Sequence, residues 1–144
     1  MPIREGWGDL FVEPVSTSQQ FWAIIDEIQN DKSNFWYNRN SLLDAYHEGR
    51  MYRMTVEEND LMFERRAYDD PIFCRTYYGE AVWYTLPAFC TWKRGEDNVC
   101  EMIWTHSRAR RLGIGRAFVE QLEIVRADRP VEDAKPFWDR VLRE

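Results

Sequence analysis

The chain is poor in cysteine: Cys74, Cys90 and Cys100 are odd in number and form no close pair. That is not a disulfide framework, and reduced thiols in a cytoplasm are the expectation. Histidine is scarcer, with only His47 and His106. Neither stands in a His/Cys/Asp cluster at ligand spacing, so no metal site is expected. No run approaches the roughly 20 apolar residues of a membrane span. The opening Met1-Pro2-Ile3-Arg4-Glu5 lacks the apolar stretch of a secretory signal. Repeats, low-complexity tracts and Gly/Ser linkers are missing too. Positive charge is in deficit, 19 Lys+Arg against 25 Asp+Glu for a net charge of −6. A general nucleic-acid or membrane binder is therefore not expected.

What the chain does have is apolar and aromatic mass. It is 44% hydrophobic and 15% aromatic over 144 residues. That supports a packed core and suits one domain spanning 1–144, soluble and cytoplasmic. Phe21, Ile24, Ile25 and Ile28 recur at helical spacing behind Ser16-Thr17-Ser18, which predicts a helix over 18–30 with a hydroxyl cap. A loop over 31–39 carries Phe35-Trp36-Tyr37. A shorter helix is predicted over 41–48, capped by Asn40 or Ser41 and closed by Gly49. Residues 51–57 read as a strand, with 61–66 as a hairpin partner, whereas 68–87 give no clear pattern. A second hairpin is expected from 88–93 and 99–105 around Gly95-Glu96-Asp97-Asn98, with helices from about 114 and about 134. The expected class is α/β or α+β.

The most informative stretch is Thr105-His106-Ser107-Arg108-Ala109-Arg110-Arg111-Leu112-Gly113-Ile114-Gly115-Arg116. It joins an apolar strand to a helix through Arg110-x-x-Gly113-x-Gly115. Closely spaced glycines let the backbone bend and bring its N–H groups near a ligand. A helix N-terminus favours an anion. Arg108, Arg110, Arg111 and Arg116 add positive charge suited to a diphosphate. An ordinary loop with solvated arginines, its second glycine easing helix packing, is the alternative.

This stretch resembles the acetyl-CoA-binding motif of the GNAT (Gcn5-related) N-acetyltransferase superfamily, Arg/Gln-x-x-Gly-x-Gly/Ala after a strand. Residues 131–142 are similar in outline to the family's Asn-x-x-Ala-x-x-Phe-Tyr-x-Lys. The resemblance implies a mixed, mostly antiparallel sheet flanked by helices. It implies that the amides of Arg111, Leu112, Gly113, Ile114, Gly115 and Arg116, helped by Arg108 and Arg110, hold the diphosphate of acetyl-CoA. The backbone of Ile103, Trp104 and Thr105 then pairs with the pantetheine arm, and a strand bulge there exposes an N–H to the thioester carbonyl. The implied reaction is attack of a primary amine on acetyl-CoA, which needs a base. Glu101 is the candidate, sharing a strand face with Ile103 and Thr105; an exposed or paired carboxylate is the alternative. His106 is a second candidate base, or else a solvated turn residue. His47, late in its helix, suits the helix C-terminus. Phe35, Trp36, Tyr37 and Glu80, near Tyr77-Tyr78, map to the acceptor wall, with core or interface packing as the alternative reading.

Four departures bear on catalysis. Trp138 stands where the family's acidic tyrosine is expected, and indole donates no acidic proton. Asp133 stands where Asn is common and reads as an N-cap, with Pro136 in the first turn. The spacing of 18 positions from Gly115 to Asp133 requires either a helix cut near Leu122 with a brief strand over 123–126, or no strand. The chain also stops at Glu144, where the family's last hairpin would begin, so a C-terminally truncated form is expected. Its open sheet edge would be covered by a protein partner or a second copy. A rival reading follows: a GNAT-fold module with little or no catalysis that binds another protein, for instance one directed at a bacteriophage host.

Overall fold

The computed structural model describes residues 7–31, 37–58, 84–106, 113–130 and 134–142. Their order is β1 (Trp7–Pro14), α1 (Ser18–Asn30), α2 (Arg39–His47), β2 (Met51–Glu58), β3 (Tyr84–Lys93), β4 (Glu96–Thr105), α3 (Ile114–Gln121), β5 (Arg126–Ala127) and α4 (Lys135–Val141). The strands lie side by side as β1-β2-β3-β4-β5, the first four antiparallel and β5 parallel to β4. The expected mixed, mostly antiparallel sheet with helices is what forms. No helix among the described residues is long and apolar enough to cross a membrane.

Helix α1 forms over its predicted residues. The Thr17 hydroxyl accepts the Gln20 N–H, and the Gln20 side chain accepts the Thr17 N–H, a reciprocal capping box. Helix α2 begins earlier than expected because the cap is Asn38, not Asn40 or Ser41: its Oδ1 accepts from the N–H of both those residues. The strands pairing with β2 are β1 and β3; the expected partner 61–66 lies outside the described residues. In the second hairpin β4 starts at Glu96 rather than Val99, because Arg94-Gly95 alone makes the turn, with Gly95 at φ 80. Helix α3 stops at Gln121 and a two-residue β5 follows, so the first of the two expected alternatives holds, the strand falling at 126–127. The residue capping α4 is Ala134, with no side-chain bond, while Pro136 sits in its first turn; Asp133 lies outside the described residues.

Successive strand side chains face opposite sides of the sheet, and two cores result. On one side Phe21, Ile24, Ile25, Ile28, Leu42 and Ala45 of α1 and α2 cover Met51, Phe89 and Trp104. On the other, Ile114, Phe118, Val119 and Trp138 of α3 and α4 cover Met54, Ala88, Cys90 and Cys100. The sheet is therefore a shared middle layer, with α1 and α2 on the side opposite α3.

Candidate functional site

The β3–β4 ladder shifts register between Thr91 and Trp92 and again between Trp92 and Lys93. Thr91 pairs with Met102 and Trp92 with Cys100, leaving Glu101 as the extra residue of a bulge. The buried Thr91 hydroxyl supports it by accepting the Met102 N–H at 3.0 Å. Cys100 and Ile103 consequently pack in one core, Met102 and Trp104 in the other. Ile103 and Thr105 keep the two-residue repeat beyond the bulge, and Glu101 is the bulge's extra residue. The Glu101 carboxylate lies 3.8 Å from the Arg50 guanidinium. Arg50 also bonds the Trp92 carbonyl and Glu48, and Glu48 binds Arg94.

The outer edge of β4 changes character just before this bulge. Parallel pairing to β5 covers only Val99 and Cys100, extended by Val125 N–H to Asn98 O and Asp128 N–H to Cys100 O. Asn98, itself at φ 69, donates through Nδ2 to the carbonyls of Leu122 and Glu123 and fixes the end of α3 to the start of β4. Beyond Cys100, Ile103, Trp104 and Thr105 have no strand on that side among the described residues. An extended ligand carrying amides can pair with such an edge as an added strand.

At the far end of β4 the chain returns as α3. Gly113 is its N-cap residue at φ 82, a left-handed conformation that glycine adopts without strain. It offers no side-chain acceptor, and the first turn has no acidic residue. Arg116 is exposed there, and Ile114 is buried in the core. The expected strand-to-helix junction is thus present around Gly113, with an electrostatic bias toward anions. Arg108, Arg110, Arg111 and Leu112 lie outside the described residues. Gly115 has another reason to be glycine: a Cβ there would stand 2.9 Å from the Phe137 ring of α4. Helix packing, the alternative raised by the sequence, accounts for it.

Of the expected acceptor wall, Tyr37 is half-buried against the α1/α2 core; Phe35, Trp36 and Glu80 lie outside the described residues. Trp138 is buried with its ring edge-on to Phe137. His106 is not the solvated turn residue the sequence suggested. It is buried, with Nε2 3.9 Å from Oδ1 of the buried Asp31. Neither that burial nor the bulge at Glu101 has a local sequence signal: both depend on which strands and helices meet. Comparison with family models, with curated proteins and with solved structures finds no match.

Proposed function

We propose that this chain is a GNAT-like N-acetyltransferase domain that binds acetyl-CoA and transfers its acetyl group to a primary amine. One observation carries the reading: among the described residues no strand covers the outer edge of β4 past Cys100, and the same strand leads into a helix that starts through left-handed Gly113 with no acidic residue in its first turn. An edge that accepts amides and a helix terminus that accepts phosphates stand at the two ends of one short run of chain. The strand order, with β5 parallel to β4, supports it. The residues fit the group: the backbone of Ile103, Trp104 and Thr105 would hold the pantetheine amides. The amides of Gly113, Ile114, Gly115 and Arg116, with Arg108, Arg110, Arg111 and Leu112, would hold the diphosphate.

Bound acetyl-CoA supplies an activated thioester. The chain's own contribution is to orient the amine, to offer an N–H near the bulge to the carbonyl oxygen as charge develops there, and to take the amine proton. A nitrogen–carbon bond forms, the carbon–sulfur bond breaks, and the proton passes to Glu101. Arg50 holds that carboxylate in place. Trp138 packs in the core and supplies no proton to the departing thiolate. That observation favours the second reading, a GNAT-like module that acts by protein binding with little turnover.

Thermal unfolding separates these. Acetyl-CoA at about 100 times Kd should stabilise the fold by about 2.7 kcal/mol, an upward shift in Tm of a few degrees for a domain this size. Arg110→Ala should reduce the shift. An unchanged Tm at saturating acetyl-CoA removes the proposal. Thiol release with a panel of amines, in wild type and Glu101→Gln, then tests turnover: binding without release on any amine favours the protein-binding module.

A further inference from the structure

Asp31 and His106 are buried titratable side chains outside this chemistry. Asp31 is the C-cap residue of α1, its N–H donating to the Glu27 and Ile28 carbonyls, and its side chain is 0% exposed. His106 follows the last residue of β4 directly, with a side chain 10% exposed. A carboxylate taken wholly out of water is costly unless a positive group or hydrogen bonds compensate it. The imidazole at 3.9 Å is within ion-pair range. Trp104, edge-on to the His106 ring at 6.1 Å and tilted against Phe89, backs the histidine with a rigid apolar wall. The pair joins two chain ends with different destinations. After Asp31 the sequence runs to Phe35-Trp36-Tyr37; after His106 it runs into the arginine-rich turn.

We infer that Asp31 and His106 form a positioning pair that fastens the end of α1 to the end of β4. It sets the open edge at Ile103–Thr105 for the ligand and ties it to the start of the acceptor segment. The role in ligand binding rests on the acetyl-CoA reading; the fastening does not. Neither side chain is assigned a bond to reacting atoms, so both act through the strand and helix they hold.

The test uses Asp31→Asn, His106→Gln, the double variant, and Ile25→Val as a control for lost packing in α1. Hydrogen exchange is read by mass spectrometry over 28–31 and 103–106, and CoA affinity by titration. Each single variant should speed exchange in both segments and weaken CoA binding on the order of tenfold. The double variant should lose less than the sum of the two singles, because both changes break the contact that the two residues share. Ile25→Val should leave CoA affinity in place. Losses that add, or faster exchange confined to the mutated element, overturn the pair. Equal weakening by Ile25→Val reduces it to general stability and overturns the positioning role. Failure of the wild type to bind CoA removes the acetyltransferase reading alone, since exchange still decides whether the two ends are fastened.

Discussion

Gly113 and Gly115 are spaced as one motif, yet they are glycine for different reasons. Gly113 has open space around its Cβ position and is constrained by its φ of +82; Gly115 has helical backbone and no room beside Phe137. Gly113→Ala should cost about 1–2 kcal/mol from left-handed strain. Gly115→Ala should cost about 1–3 kcal/mol from overpacking. Urea unfolding checks both, and only the Gly115 loss should shrink in a Phe137→Leu background. Glu48 yields a pH prediction. Hydrogen bonds from Arg94 first, then Arg50, hold its carboxyl below the usual value. The folded state thus takes up this proton less readily than the unfolded chain. Its stabilising contribution is complete above the ordinary glutamate range and is lost as pH falls through the lower folded value. Stability measured from neutral to acid pH should decline less steeply in Glu48→Gln than in wild type.

Among the elements, the first edge of the sheet is guarded by a side chain. Gln121, the last residue of α3, accepts the Val12 N–H at 2.8 Å and donates to the Leu10 carbonyl at 2.7 Å. A primary amide here takes the place of a neighbouring strand along β1, the exposed condition that invites pairing with other chains. Gln121→Ala should cost about 1–2 kcal/mol for two hydrogen bonds. Concentration-dependent association, followed by light scattering, should increase in the same variant. At the opposite edge β5 is two residues long, and among the described residues no strand pairs with β4 on that side beyond Cys100.

For the molecule as a whole, the sheet lies between two cores that share its strands but not their side chains. Phe21 is fully buried in the α1/α2 core and Phe118 in the α3/α4 core. Each truncation to alanine should cost about 3–5 kcal/mol. Because the two sites lie on opposite sides of the sheet, their costs should add to within about 0.5 kcal/mol. Unfolding monitored by tryptophan fluorescence and by circular dichroism should give coincident curves, since neither helical layer can bury its face without the sheet. Separate transitions would mean that the layers fold as independent units.

Local pattern determined a good deal of this. The 3.6-residue repeat of Phe21, Ile24, Ile25 and Ile28 and the hydroxyls before it specify α1; glycine after charged and polar residues marks the hairpin turn; Gly113 marks the start of α3. These signals are legible because the forces behind them act within a few residues. The candidate site was legible only as a strand-to-helix junction. Tertiary structure decided the rest: the parallel seat of β5 on Val99 and Cys100, the bulge that sets Glu101 beside Arg50, the burial of His106 against Asp31, and the ring that makes Gly115 a packing glycine. Each joins residues far apart in the chain, and a strand carries no mark of which neighbour will satisfy its backbone.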